Sequence, residues 1–284
     1  MLRFLDAVTD ADEWEALVPK DPHFSPAYYR AFGGGKLVVC EKDNKRIIQP
    51  FRRQEPGWIG NAYNFGGPLG AFYLAGRFVE EFDKWKTDNG LNERCTITPF
   101  TTASILRKDL SSRDTVIVDL TAIKIRPTTR HMIEKAQRNA VSTVMVDDHQ
   151  NISMFEDMYH AAMDKKGAKQ HWKYPPGTFA EVLRELGPKR SALFMTTIKG
   201  IVESGCIVIF DDKVCYYHWA ATYGRRKEVG ANHFQVWSVI NWAKDKSLSY
   251  VHLGGGLNPN NLKDGLLNFK KGFSPFTRKV FSYV

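Results

Sequence analysis

The order of elements in the second half of the chain restricts the fold more than any other feature. Three strand-like runs follow one another, "SALFMTTIKG", "IVESGCIVIFD" and "VCYYHWAAT"; after them come a helix, "ANHFQVWSVINWAKDKS", a strand, "YVHLGGG", a second helix ending "NFKKGF", and a closing strand, "TRKVFSYV". The strands are rich in β-branched and aromatic residues, and the helices repeat their apolar residues at helical spacing. Upstream, Pro127 and two threonines open a helix that runs to Ala140 and feeds the strand "VSTVMV"; the helices "NISMFEDMYHAAMDKKG" and "PPGTFAEVLRELG" then lead into the meander. This order specifies a mixed α/β (α+β) fold.

The first half carries its own set of elements. "TDADEWEALV" reads as a helix with a capped, acidic start, and "SPAYYRAFGGG" as a helix with Ser25 at the cap, Pro26 at the first helical position and glycines at the stop. "KLVVCEKDNKRIIQPFRR" reads as a hairpin turning at Asp43-Asn44, because these residue types tolerate left-handed backbone angles. "NAYNFGGPLGAFY" is a loop, "GRFVEEFDKWK" an amphipathic helix, and "RCTITPF" and "DTVIVDL" are strands. The pattern restarts near Ile123, so two domains are expected, 1–122 and 123–284. A length of 284 residues with 43% hydrophobic residues can fill one large core or two ordinary ones.

A formal charge of +9 favours a polyanion: nucleic acid, a nucleotide-linked substrate or an anionic membrane face. Cys40, Cys95, Cys206 and Cys215 lack metal or redox spacing and read as buried free thiols in a reducing compartment. No window approaches the ~20 apolar residues of a membrane span, and the start lacks a secretory pattern. A soluble, cytoplasmic protein without metal or cofactor is expected. There is no nucleophile elbow, "GGGKL" lacks phosphate-loop spacing, and no dinucleotide fingerprint follows a strand.

The stretch "YVHLGGGLNPNNLKDGLLNFKKGF" brings three glycines directly after a strand, which marks a sharp bend or the close approach of a ligand. The element order of the second half resembles the GNAT acyltransferases, in which the sheet splays after the fourth strand and the acyl donor enters the gap. In those enzymes an [R/Q]-x-x-G-x-[G/A] loop holds the pyrophosphate of coenzyme A at a helix N-terminus. The corresponding "KEVGAN", Lys227-x-x-Gly230-x-Asn232, departs from that pattern at its first and last residues.

A more specific resemblance covers most of the chain. "FSPAYYRAF", "YNFGGPLG", "EKAQRNAVSTV", "YYHWAA", "HFQVWSVINWAKDKSLSYVHLGG" and "FKKGF" occur in the order seen in FemXAB-type aminoacyltransferases, a GNAT-related family that takes its acyl group from aminoacyl-tRNA. The resemblance implies two GNAT-like domains packed around a central cleft, with Lys270 of the Phe-Lys-x-x-Phe helix placed to stabilise charge during acyl transfer. That role suits the chemistry, since aminolysis of an ester passes through a tetrahedral oxyanion. It further implies that Gly254, Gly255 and Gly256 line the channel where donor and acceptor meet. Without the resemblance, Lys270 and Lys271 are solvated charges on a basic helix.

Tyr216, Tyr217 and His218 lie on an alternating strand, which puts Tyr217 with Trp219 on one face and Tyr216 with His218 on the other. They are either core aromatics with a satisfied histidine or groups bonding acceptor and leaving hydroxyl, with Tyr217 and His218 as the catalytic candidates. Arg130, with Lys135 and Arg138 on one helix, is a solvated charge or a phosphate contact, and Tyr29, Lys36 and Asn64 are candidate acceptor contacts. The lead reading is aminoacyl transfer from aminoacyl-tRNA to an amine of a peptide-like acceptor, either a UDP-linked muramyl peptide or a secondary-metabolite peptide, by a monomer. The alternatives are an N-acyltransferase using coenzyme A or a carrier protein, and a non-catalytic tRNA- or nucleotide-binding protein.

Overall fold

The structure, a computed structural model, describes residues 2–62, 65–97, 99–100, 110–168, 172–224, 226–257 and 264–283. It divides into two compact units, Met1–Arg113 with Lys279–Val284, and Asp114–Arg278. Ile123, where the sequence pattern restarts, lies inside the second.

The first unit contains β1 (Leu2–Asp6), α1 (Ala11–Leu17), α2 (Pro26–Ala31), β2 (Lys36–Lys42), β3 (Lys45–Glu55), β4 (Trp58–Gly60), β5 (Leu69–Gly70), α3 (Ala75–Asp88) and β6 (Asn92–Thr96). The sheet runs β1-β2-β3-β4-β6, with β5 also on β3. Asp43 and Asn44 turn the β2–β3 hairpin with φ of 52° and 57°, as their residue types require. Ser25 caps α2 by accepting from Tyr28 N at 3.2 Å. The cap of α1 differs from expectation: Asp10 occupies the cap position, but its carboxylate accepts from Asp6 N at 2.7 Å and not from the helix. Phe78 and Phe82 of α3 pack on the sheet beside Phe51 and Trp85 to form the core.

The second unit contains β7 (Ser111–Asp119), α4 (Pro127–Arg138), β8 (Val141–Val146), α5 (His149–Lys165), α6 (Thr178–Leu186), β9 (Ser191–Ile198), β10 (Ile201–Phe210), β11 (Val214–Thr222), α7 (Ala231–Asp245), β12 (Tyr250–Gly255) and α8 (Gly265–Lys271). Its sheet runs β7-β12-β11-β10-β9-β8. The strands from β8 to β11 form an antiparallel meander, β12 lies parallel to β11, and β7 closes antiparallel to β12. One face carries Ile133 of α4 and Val236, Val239 and Ile240 of α7, packed on Val208, Phe210 and Val251. The other carries Phe155 of α5 and Phe179 of α6, with Trp219 of β11 against Phe179 at 5.6 Å.

The last strand, β13 (Thr277–Tyr283), brings the chain back to the first unit, where Ser282 and Tyr283 pair with Thr96 and Cys95. The Tyr283 hydroxyl donates to buried Glu93 at 2.8 Å, and Lys86 donates to the same carboxylate at 2.7 Å. All four cysteines are buried and free. Among the described residues no helix is long and apolar enough to cross a membrane, and no cluster of side chains is arranged for a metal ion.

Candidate active site

β11 and β12 share three register pairs, Val214 with Tyr250, Cys215 with Val251 and Tyr216 with His252. Beyond that rung each strand continues without the other, β11 through Thr222 and β12 through Gly255, so the sheet opens where Tyr217 and Leu253 begin. A β-bulge follows closely on the last rung. Ile207 pairs with Trp219 and Val208 with Tyr217, which leaves His218 as the extra residue and bends the strand.

The bulge also corrects the alternation read from the sequence. Tyr217 pairs with Val208 and turns to the α7 face, where its hydroxyl accepts from Gln235 Nε2 at 2.6 Å. Trp219 pairs with Ile207 and turns to α6. Tyr217 and Trp219 therefore occupy opposite faces, because one inserted residue reverses every side chain after it. Gln235 Oε1 accepts in turn from Ser204 at 2.7 Å and Thr196 at 3.0 Å, so Tyr217 ends a buried polar chain. Desolvation, with the Cys206 thiol beside it, pushes the Tyr217 phenol well above its ordinary value, so at neutral pH it acts as an uncharged hydrogen-bonding group.

Two of the three glycines at the end of β12, Gly254 and Gly256, stand against particular neighbours. Lys270 Nζ donates to Gly255 O at 2.8 Å, and a Cβ on Gly254 would stand 3.3 Å from that ammonium. Gly254 also has φ of +76°, where side chains are strained. A Cβ on Gly256 would come 2.6 Å from the carboxylate of Asp264. That carboxylate, on a residue only 5% exposed, accepts from Leu257 N at 2.6 Å and from Leu267 N at 2.9 Å, capping α8.

Further contacts fix α8 and hence Lys270. Phe269 and Phe273 contact one another at 5.4 Å, with the His233 ring of α7 against Phe269 at 4.9 Å. Burial there lowers the His233 pKa. The start of α4 holds the other end of α8: Arg126 N donates to Gly272 O at 2.8 Å, its guanidinium donates to Asn268 Oδ1 at 2.8 Å, and Thr129 packs on Gly272 so closely that no side chain fits.

Lys270, Gly254 and Gly255 are thus in contact, and Gly256 joins them through Asp264. Tyr216 sits at the last rung before the opening, its ring 5.7 Å from that of His252, and Tyr217 and His218 follow it on β11. Arg130 is exposed on α4, next to the Thr129 that touches Gly272. Tyr29 and Lys36 belong to the first unit. Tyr29 is wholly buried, its ring 5.4 Å from that of Trp14 and its phenol pKa raised by burial, whereas Lys36 is exposed at the start of β2. Asn64 lies outside the described residues.

Sequence reasoning missed Asp264, His233, Gln235 and Thr129, which position the others. Asp264 had a legible signal, an Asp-Gly pair before an apolar helix. Gln235 had a weaker one, a polar residue on an otherwise apolar helical face.

Between β11 and α7, four of the described amides donate within the protein. Tyr223 N donates to Glu203 O at 3.0 Å, Gly224 N to Thr222 Oγ1 at 3.0 Å, Arg226 N to Glu203 Oε1 at 3.3 Å, and Val229 N to Arg226 O at 3.1 Å. These amides already have acceptors within the protein. At the N-terminus of α7, a Cβ on Gly230 would meet Met132 O of α4 at 2.5 Å, so α4 backbone covers that point.

A bulged strand thus parts from its parallel neighbour, with a fixed lysine beside the opening. The family described as acetyltransferase (GNAT) domain matches residues 124–270, and the chain belongs to it. The fold is shared with FemX, at a TM-score of 0.67 and 12% identity over 99% of this chain and 97% of FemX. It is shared also with the C-terminal DUF2156 domain assigned to a lysylphosphatidylglycerol synthetase from Agrobacterium fabrum, at 0.66 and 13% over 97% and 92%. A tandem GNAT protein from the clavulanic acid biosynthesis pathway matches at 0.51 and 11% over 100% and 98%. No curated protein matches the sequence. The FemX likeness read from the motifs thus has its counterpart in the fold, and the chain is an acyltransferase.

Proposed function

We propose that the chain transfers an aminoacyl group from aminoacyl-tRNA to an amine of a peptide-like acceptor. The observation that carries this reading is the fixed ammonium of Lys270, tied to Gly255 O beside a glycine-lined strand end. The acceptor amine attacks the ester carbonyl, a C–N bond forms, and the carbonyl oxygen becomes an oxyanion that Lys270 stabilises. Collapse breaks the C–O bond to the ribose; the amine gives up a proton and the leaving ribose oxygen takes one. The ester is already activated, so positioning and charge stabilisation suffice.

In this reading Tyr217 and His218 bond the acceptor or the leaving hydroxyl, Tyr217 as a neutral phenol held by Gln235. Tyr216, Gly254, Gly255 and Gly256 shape the channel. Lys36 and Asn64 serve the acceptor while Tyr29, wholly buried, does not touch it, Arg130 meets phosphate, and a UDP-linked acceptor would use the same basic character. Dependence on charged tRNA goes with a cytoplasmic protein, and we take it to act as a monomer with domains near 1–122 and 123–284. Family membership favours a second reading, transfer from acyl-CoA, against which the departures at Lys227 and Asn232 from the coenzyme A loop pattern weigh.

Incubation of the purified protein with mixed charged tRNAs and a panel of acceptor peptides, with and without RNase, tests the proposal. Labelled amino acid should appear in the acceptor only without RNase, and less so as salt rises. Turnover with acyl-CoA and no RNA would refute it.

A further inference from the structure

β8 is the last strand of the second unit's sheet, and among the described residues β9 is its one strand partner. The pairs from Val141–Ile198 to Val146–Leu193 run without a bulge, and in an antiparallel pair every other residue turns its amide and carbonyl to the far side. β8 therefore presents a continuous, unpaired edge. Its sequence, "VSTVMV", has none of the devices that keep such edges apart, neither charge nor proline nor bulge. β1, at the end of the first unit's sheet, is built differently: it carries Arg3, which is paired with Glu13 and lies 3.6 Å from Glu41. On β8, Thr143 bonds Thr196, which bonds Gln235 of α7, so Thr143 and Met145 lie on the α7 face and Val144 on the opposite one. Val144 is 53% and Met145 60% exposed, so apolar surface flanks the edge on both faces. The two ends of the strand differ in charge. Exposed Arg138 ends α4 just before β8, and exposed Lys199 lies at the same end, its amide on Ala140 O at 3.2 Å; exposed Asp147 and Asp148 follow Val146 directly.

We propose that β8 is a pairing edge for a second copy of this chain, the two β8 strands lying antiparallel about a two-fold axis normal to the sheet. Such an axis keeps each face on its own side, so one patch serves as both halves of the interface. Antiparallel order brings the Asp147–Asp148 end of each strand to the Arg138–Lys199 end of the other, and this happens twice. Parallel order would set like charges together. A register centred on Val144 puts that residue against its own counterpart on one face and Met145 against Thr143 on the other, which covers both exposed apolar side chains. Each copy keeps its own Lys270, so one chain still performs the reaction and the pair joins two such sites. The inference does not rest on the identity of the donor or the acceptor.

The experiment is sedimentation velocity of the full chain over about 1–100 µM, since a short edge pair is a small interface that should dissociate in the micromolar range. Wild type should pass from one chain of 32.4 kDa to a species of twice that mass within this range. Val144→Lys places a charge on the exposed edge and should weaken pairing by about tenfold or more, with an unchanged cooperative thermal transition. A second pair of variants tests the same interface without touching the strand. Arg138→Glu and Asp147→Lys should each weaken pairing by about three- to tenfold alone. Their equimolar mixture should pair like wild type, because every contact across that mixed pair again joins opposite charges. A single chain at every concentration would overturn the proposal, as would a dimer that both Val144→Lys and the charge reversals leave intact. A mixture that pairs no better than its components would overturn the antiparallel order.

Discussion

The two ends of the opening between β11 and β12 have been built to opposite purposes. At the β12 end, Gly254 and Gly256 remove side chains so that Lys270 and Asp264 can approach the strand, and the Gly255 carbonyl holds a charge at the backbone. At the β11 end, Glu203 and Thr222 accept from the amides of Tyr223, Arg226 and Gly224, and Gly230 admits the backbone of α4. Glycines therefore act differently in the two places: one set lets charged side chains reach a strand end, the other allows packing. The comparison teaches that one opening can admit charged side chains to a strand end on one side and pack backbone on the other.

Substitution of the glycines breaks the comparison most sharply. Gly254→Val adds a branched side chain at φ of +76° and next to Lys270 Nζ, so aminoacyl transfer should fall by about 10³-fold or more in a protein that still melts cooperatively. A folded, fully active Gly254→Val protein would remove this residue from the site. Gly230→Ala should behave in the opposite manner: the clash with Met132 O and φ of +86° should cost about 1–3 kcal/mol in denaturant unfolding, with kcat of the folded fraction unchanged. Loss of turnover without loss of stability there would mean that the loop end is also reactive.

Much of this arrangement was legible in the sequence, and the illegible part has physical causes. Cap and turn residues act over a few positions, so Ser25 and Asp43-Asn44 could be placed from their neighbours alone. The glycine run was visible because it departs from what a surface segment needs, whereas the Phe-Lys-Lys-Gly-Phe helix stood out only through the family resemblance. The bulge at His218 was not, because "YYHWAA" contains no glycine or proline to mark a break in alternation; the insertion is set by pairing with β10. The same applies to Glu203, which reads as a polar residue in a strand and becomes a loop anchor only through its bulge. The return of β13 to the first unit depends on Tyr283 meeting Glu93, a partner far away in sequence.

Smaller effects refine the comparison at the α8 end. His233 is held neutral between Phe269 and the chain that follows, with a folded pKa below its ordinary 6.5. A depressed imidazole contributes stability that is fully present above pH 6.5 and is lost as pH falls through that value toward the folded pKa, since the unfolded chain then binds more protons. Thermal unfolding of the wild type should therefore shift slightly downward below that pH, and His233→Phe should remove that part of the shift. An identical acid shift in the variant would exclude His233 as its source. Lys271→Met should change kcat less than about twofold while reducing sensitivity to salt, because adjacent helical residues point about 100° apart and only one of the pair bonds Gly255 O.

Lys270→Met provides the most direct test. In single-turnover aminoacyl transfer with saturating acceptor, loss of a preorganised oxyanion partner should lower the rate by about 10²- to 10³-fold, with little change in thermal stability and with Lys271→Met as the matched control. Equal, small effects from the two substitutions would contradict the account and leave both lysines as a basic surface.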